Sequence, residues 1–270
     1  MNAWRYPRRI VRTLICGLSI LLPTAAWPGD FSVSPIRIFL DKDRKADVVT
    51  VTNSGTVPLQ FEIRPREWTQ NATGEDVYVD TRDVLVFPRL MTLEGGESRD
   101  VRVGMKIPPG TTEKTYRVFI AELPPQSADD DANAGGTNVA FLISFAAPIF
   151  YSPIKRDPTL EIARFDLADN RIDATLANGG NVHLFVEEMS VVGLNATGGE
   201  VYRETIPERY LLAGTTRSYT LDLSPAQCEA LASIAYNVRT NELSANAKKD
   251  VGKNFCSSRM PESPATDSTR

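Results

Sequence analysis

The stretch from Asn138 to Tyr151 reads NVAFLISFAAPIFY, and none of its fourteen residues carries a charge. In a β-strand, alternate side chains point to opposite faces of the sheet. The bulky apolar side chains of this stretch would therefore share one face: Val139, Phe141, Ile143 and Phe145. The opposite face would carry smaller side chains together with Leu142, which we expect in the core of the protein's own sandwich. A long strand with one bulky apolar face needs a second surface that covers it.

The segment that precedes this strand is a poor cover. Residues 124–137 read PPQSADDDANAGGT, and an acidic, glycine-rich composition of this kind is typical of an unfolded loop. Two interpretations of the strand remain. It is an ordinary buried strand that follows a long loop, or it supplies its side chains to the core of another protein by β-augmentation.

The N-terminus has the pattern of a secretion signal. Four arginines precede an apolar stretch, Leu14–Leu22, that is far shorter than the roughly 20 residues of a membrane helix. Small residues at positions 24 and 26 predict cleavage before Trp27, so residues 1–26 would be a signal peptide for export. No later segment is apolar enough to cross a bilayer, and we expect no membrane insertion.

The composition of the mature chain limits its partners and its redox state. Without the four arginines of the signal peptide, the 30 basic residues fall to 26 against 34 acidic residues, a net charge of −8. This negative charge argues against nucleic acid as a partner. Two cysteines remain, Cys228 and Cys256. In an oxidising compartment they indicate one disulfide, and two buried free thiols are the alternative.

Two short motifs recur in the second half of the chain. The sequence NSGTVPL at Asn53–Leu59 resembles NGGNVHL at Asn178–Leu184, 125 positions later. The sequence NATGE at Asn71–Glu75 resembles NATGG at Asn195–Gly199, 124 positions later. Motifs in the same order and at nearly the same spacing indicate two domains of the same kind.

Short runs of alternating apolar and polar residues, separated by glycine and proline turns, fill both halves. About seven such strands in the first half match the immunoglobulin-like sandwich. Only residues 225–235 have a helical pattern. The sequence therefore predicts an all-β protein with two immunoglobulin-like β-sandwich domains at an angle, residues 27–152 and 153–256. A linker at about residues 152–158 would leave a cleft between them, and the polar tail 257–270 would be disordered.

The sequence offers little material for catalysis or metal binding. Its single histidine, His183, follows a glycine turn and is interpreted as a loop residue. One histidine supports neither a histidine-rich metal site nor a catalytic triad. The sequence contains no glycine-rich phosphate loop. We therefore expect no enzymatic activity, no cofactor and no metal.

Four segments of the chain carry a resemblance to a known family: SPIRI at Ser34–Ile38, VTVTNSG at Val49–Gly55, YRVFIAELP at Tyr116–Pro124 and APIFY at Ala147–Tyr151. They resemble the periplasmic pilus-assembly chaperones of chaperone–usher systems. The best-studied members of this family have a lysine where this chain has Pro148. Together with REWTQ at Arg66–Gln70, this difference makes the chain most similar to the archaic, or alternate, class.

The resemblance implies a chaperone that captures pilus or fimbrial subunits by donor-strand complementation and delivers them to an outer-membrane usher. The donor residues would be the four bulky side chains of the strand at residues 138–151, which are Val139, Phe141, Ile143 and Phe145. Three arginines are candidates for holding the C-terminal carboxylate of the subunit: Arg37, Arg102 and Arg117. Arg102 and Arg117 are expected on neighbouring strands, where they would form a fork for a carboxylate. The alternative function is that of a two-domain exported structural or adhesive surface protein.

Overall fold

The computed structural model describes residues 31–71, 73–124, 141–207, 210–252 and 255–256. The predicted signal peptide, the donor residue Val139, most of the acidic loop and the C-terminal tail lie outside these residues. In the part of the chain that the structure describes, no helix is long and apolar enough to cross a membrane.

Among the described residues before 152, ten strands form the first sandwich. Their bounds are β1 Phe31–Ser34, β2 Ile38–Leu40, β3 Ala46–Asn53, β4 Leu59–Gln70, β5 Asp76–Asp80, β6 Val84–Phe87, β7 Leu90–Leu93, β8 Ser98–Met105, β9 Lys114–Glu122 and β10 Ser144–Tyr151. The first sheet has the strand order β1-β3-β8-β6. The second sheet has the order β2-β10-β9-β4-β5, and β7 also pairs with β4.

Alternating apolar side chains of the two sheets meet in the core of the first sandwich. On β9, the side chains of Tyr116, Val118 and Ile120 are fully buried there. Each fully buried side chain of this size contributes about 1.5–3 kcal/mol to folding. Because the side chains of a strand alternate, the residue between Tyr116 and Val118, which is Arg117, points to the outer face of the second sheet.

In the described part of the chain after residue 160, eight strands form the second sandwich. Their bounds are β11 Glu161–Ala168, β12 Arg171–Ala177, β13 Leu184–Leu194, β14 Glu200–Thr205, β15 Tyr210–Leu211, β16 Thr216–Asp222, β17 Ser233–Thr240 and β18 Ser244–Asp250. One sheet has the order β11-β12-β16, and the other has the order β14-β13-β17-β18, with β15 paired to β13. The predicted all-β class with two immunoglobulin-like sandwiches is confirmed.

The helix of the second sandwich is shorter than the sequence pattern predicts. It spans Pro225–Glu229 as α1, and Ser224 caps it by accepting a hydrogen bond from the backbone N–H of Gln227. The residues that follow form β17 rather than a continued helix. The prediction fails there because Ile234, Tyr236 and Val238 alternate into the core, which is the period of a strand.

A disulfide joins Cys228 of α1 to Cys256 near the end of the described chain, with their Cα atoms 5.6 Å apart. Both residues pack with the core of the second sandwich. The alternative of two free thiols is therefore wrong.

The internal repeat has a structural basis in equivalent asparagines. The side-chain amide of Asn53 donates to the carbonyl groups of Val57 and Leu93, at 2.7 and 3.0 Å. The amide of Asn178 donates to Val182 and Leu211 in the same way, at 2.8 and 3.0 Å. In each sandwich this buried amide ties a strand end to the next turn and to a second strand, so the repeated motifs have the same structural role.

Candidate functional site

The outer edge of β10 is open along most of its length. On one side, β10 pairs with β9 over its full range, from Ser144 to Tyr151. On the other side, β2 pairs only with residues 149–151. Residues 141–148 have no strand on that side among the described residues. An open edge of this kind exposes unpaired N–H and C=O groups to a further strand.

The backbone register fixes which residues face this open edge. The N–H group of Glu122 donates to the carbonyl oxygen of Ile143 at 3.0 Å, so odd-numbered residues of this strand pair with β9. Even-numbered residues, including Ser144 and Ala146, therefore direct their backbone groups to the open edge. Pro148 also faces this edge, where its missing N–H group costs β9 no hydrogen bond.

The bulky face of the strand changes its environment along the chain. The side chain of Phe141 is 70% exposed and that of Ile143 is 40% exposed. Phe145 is half-buried against the first core, and Ile149 and Tyr151 on the same face are fully buried in it. The predicted bulky face is therefore exposed where the strand begins and becomes core where it ends.

Leu142 is not a core residue, so this expectation is wrong. Its side chain is 46% exposed. It precedes the first residue of β10 that pairs with β9, so it lies beyond the end of the sheet. Further along the even-numbered face, Phe150 packs at the junction with the second sandwich instead of in the first core.

Arg117 lies on the outer face of the second sheet, directly opposite Arg66 on β4 and Pro148 on β10. The centre of its guanidinium group is 4.1 Å from the centroid of the Trp68 ring. One terminal nitrogen lies 3.2 Å from Oδ2 of Asp76 on β5. Its Nε atom is buried and has no hydrogen-bond partner among the described residues. The arginine is thus held over an aromatic surface with part of its donor capacity unused.

Arg37, between β1 and β2, reaches across to the second sandwich. Its guanidinium centre is 4.5 Å from the ring centroid of Phe185. It lines a cleft of about 420 Å³ together with Phe39, His183 and Tyr210. It forms no ion pair with any carboxylate in the described ranges. Within the described residues, Arg37 is thus a cation of this cleft that no carboxylate neutralises directly, although Glu113, Glu187 and Glu242 also line the cleft.

Tyr210 lies within electrostatic reach of both arginines. Burial raises the pKa of its hydroxyl, while the positive charges of Arg37 and Arg117 act in the opposite direction. The structure therefore places Arg37 and Arg117 around one aromatic side chain at the domain junction.

Arg102 does not join this group. It lies on β8, opposite Val48 and Phe87, in the first sheet. Arg117 lies on β9, in the second sheet, so the expectation that the two arginines occupy neighbouring strands is wrong. In an immunoglobulin-like sandwich, strands that follow each other in sequence can belong to opposite sheets, and residues 106–113 make that crossing here.

The contacts that join the two sandwiches were not predicted from the sequence. His183 lies in the loop before β13, as predicted, but it is buried at this junction, and its ring lies 3.6 Å from the Phe150 ring, centroid to centroid. Phe150 is also part of a buried cluster of large side chains at this junction, together with Trp68, Tyr210 and Leu212. The apolar neighbours of His183 in the sequence, Val182 and Leu184, were the available signal of burial.

The first sandwich has recognisable relatives at the level of sequence. Residues 30–156 match the family described as "Pili and flagellar-assembly chaperone, PapD N-terminal domain". The first sandwich therefore belongs to this domain family. No curated protein sequence is significantly similar to the chain.

Solved structures of pilus-assembly chaperones have the same fold. The CsuC–CsuE chaperone–adhesin complex of archaic Csu pili from Acinetobacter baumannii matches with a TM-score of 0.56 and 17% identity, over 82% of this chain and 98% of that one. The SafA pilin–SafB chaperone complex of Salmonella enterica matches with a TM-score of 0.53 and 13% identity, over 84% of this chain and 99% of that one. The class 5 fimbriae chaperone CfaA matches with a TM-score of 0.52 and 18% identity, over 82% of this chain and 99% of that one. At these identities the likeness extends to the fold, and it includes an archaic chaperone.

Proposed function

We propose that this chain is a periplasmic chaperone that captures pilus or fimbrial subunits by donor-strand complementation and passes them to an outer-membrane usher. The observation that carries the proposal is the open edge of β10 beside the exposed side chains of Phe141 and Ile143. An incomplete sandwich that lacks one strand needs both of these features, because it must satisfy an edge and fill a groove.

The donor residues would contribute most of the binding energy. Each apolar side chain that the subunit buries fully contributes about 1.5–3 kcal/mol, before the cost of ordering the strand. Val139 and Phe141 begin the bulky face, Ile143 continues it, and Phe145 is already half-buried against the chaperone. The acidic loop before the strand would keep the free edge from pairing with other copies.

Arg37 and Arg117 are the proposed anchor for the C-terminal carboxylate of the subunit. Arg37 lines the cleft without an ionic partner in the described chain, and Arg117 lies next to the open strand through its pairing with Pro148. An arginine fork can hold a carboxylate by two hydrogen bonds. The two arginines would supply the positive charge that a lysine supplies in the best-studied chaperones, where this chain has Pro148.

We assign the subunit-binding domain to residues 27–152 and the second domain to residues 153–256, after a signal peptide of residues 1–26. A structural or adhesive surface protein would share the two sandwiches and the disulfide. Such a protein has no use for an open strand edge with exposed bulky side chains, which in a surface protein promotes aggregation.

Co-expression with the small secreted proteins encoded beside an usher gene tests the proposal. The wild-type chaperone should co-purify with at least one of them from the periplasm. Phe141→Asp and Ile143→Asp should reduce its capture by more than about hundredfold, because an unpaired carboxylate in an apolar groove costs several kcal/mol. Both variants should keep the wild-type melting temperature, because these side chains are exposed in the free protein.

Phe87→Asp is the matched control, because Phe87 is also a phenylalanine with 70% exposure and lies on β6 of the other sheet. It should capture the subunit as the wild type does. The proposal fails if no secreted partner is retained by the wild type. The assignment of the donor strand fails if the variants at positions 141 and 143 fold and still hold the subunit.

A further inference from the structure

Asp76, the first residue of β5, occupies the site in front of Arg117. Its Oδ2 atom lies 3.2 Å from Nη2 of Arg117 and accepts a hydrogen bond from the hydroxyl of Tyr78 at 3.0 Å. Its Oδ1 atom accepts a hydrogen bond from Nε2 of Gln70 at 3.2 Å. Three donors from three strands therefore fix one carboxylate against the arginine.

The contact between Asp76 and Arg117 uses only one of the N–H donor groups of the guanidinium. One terminal nitrogen makes the contact, and the buried Nε has no hydrogen-bond partner in the described chain. A guanidinium group binds a free carboxylate best by two parallel hydrogen bonds. The side chain of Arg117 remains 19% exposed, beside the open strand. A carboxylate that enters from that side can compete with Asp76 for the terminal nitrogens of the guanidinium group.

Arg117 can leave Asp76 at a limited cost. Its bonds to Tyr78 and Gln70 do not involve the arginine. Gln70 is itself held by the second sandwich, since its amide donates to the Tyr210 carbonyl at 3.0 Å and accepts from the N–H of Leu212 at 3.1 Å. The loss of one donor of three therefore leaves the carboxylate of Asp76 in place.

We propose that Asp76 is a specificity-determining residue, which holds Arg117 in the free chaperone and yields it to the C-terminal carboxylate of a subunit. The inference rests on the proposed function, because it deepens the role of the Arg117 site. An internal carboxylate keeps small anions and internal side chains of other proteins away from the arginine. A chain terminus on the captured strand replaces it, because the rest of the subunit holds that terminus close by.

The test uses acetate as the probe and the indole signal of Trp68 as the reporter. The chain beyond the signal peptide has two tryptophans, Trp27 and Trp68, so the nitrogen–proton NMR spectrum contains two indole cross-peaks. Since the guanidinium of Arg117 lies over the Trp68 ring, occupancy of Arg117 should shift the Trp68 cross-peak. Sodium chloride of equal ionic strength controls for screening.

Asp76→Asn should respond to acetate at about tenfold lower concentration than the wild type, the effect expected when one charge-assisted competitor is removed. Asp76→Ala, which removes the acceptor, should respond in the same way. Asp80→Asn is the matched control, because Asp80 lies on the same strand and pairs with Arg66 at 3.2 Å. It should respond as the wild type does, and Arg117→Ala in the Asp76→Asn background should remove the response.

Two results would overturn the inference. One is an acetate response of the Asp76 variants that equals that of the wild type, and the other is an equal gain in Asp80→Asn. The acetate titrations do not use a subunit. The Asp76 variants can therefore show the expected gain in acetate response even if the chaperone captures no secreted partner. In that case the proposed function would be wrong and the guarded anion site would stand.

Discussion

The imidazole Nδ1 of His183 lies 2.7 Å from Oε2 of Glu113, and this contact joins the two sandwiches. The same oxygen accepts the backbone N–H of His183, also at 2.7 Å. Both side chains are almost fully buried, and the histidine ring stacks on Phe150 at the end of β10. The strand proposed to bind the subunit therefore ends on the contact that positions the second domain.

Removing the Glu113 carboxylate should destabilise the protein. Glu113→Ala leaves the backbone N–H and the ring N–H of His183 without their acceptor in a buried site. Unsatisfied buried donors cost about 1–3 kcal/mol each, so we expect a loss of about 2–6 kcal/mol in the free energy of unfolding. Glu113→Gln, which keeps one acceptor oxygen, should lose less. Urea unfolding measures both, with the exposed Glu94→Ala as control, and a Glu113→Ala variant as stable as that control contradicts the prediction.

Reduction of the Cys228–Cys256 disulfide should destabilise the second sandwich. The bond closes a loop of 28 residues, for which loop-closure entropy predicts about 3–4 kcal/mol. The double variant Cys228→Ser, Cys256→Ser should unfold at lower temperature than the wild type, and a reducing agent should move the wild type to the same value. The first sandwich contains no cysteine, so its donor strand should still capture a subunit. Labelling of both thiols in denatured, unreduced protein would show that this bond is absent.

The stability of the first sandwich should fall at alkaline pH through Tyr78. Burial raises the pKa of its hydroxyl from 10.0 to about 12. The folded state therefore binds the phenolic proton more tightly than the unfolded state, so this contribution is complete below pH 10 and is lost as the pH rises towards about 12. Tyr78→Phe should make the unfolding free energy less dependent on pH across this window. Burial also raises the pKa of Tyr116, so some loss should remain in the variant. Identical slopes for the variant and the wild type would exclude the proposed role of Tyr78.

Local patterns in the sequence were sufficient for the class of fold. Asn53 and Asn178 stand in recurring motifs, and both make the same pair of buried amide contacts. The alternation in residues 138–151 also predicted which side chains share a face. These features depend on neighbours within a few residues, which the sequence contains directly.

The predictions that failed have a different origin, because they concern the sheet or domain against which a residue packs. The positions of Arg102 and Arg117 depend on the crossing between sheets, which no local pattern encodes. Leu142 is exposed because the supporting sheet ends before it. The partner of His183 is 70 positions away in the sequence. Tertiary contacts at this separation require the topology to be known first.

The three candidate arginines should differ in their effect on capture. Arg37→Ala and Arg117→Ala should each weaken retention of a co-purifying subunit by at least about tenfold, because hydrogen bonds to a charged group contribute about 1.5–3 kcal/mol. Arg102→Ala removes the same charge from the opposite sheet and should retain the subunit as the wild type does. Arg117→Lys separates charge from geometry, since lysine keeps the charge but loses the fork, and it should recover only part of the affinity. The rate of subunit release from the purified complex measures each effect, with thermal melting as the check on folding. A loss in Arg102→Ala equal to that in Arg117→Ala would mean that net charge matters and that the cleft at the domain junction is not the anchor.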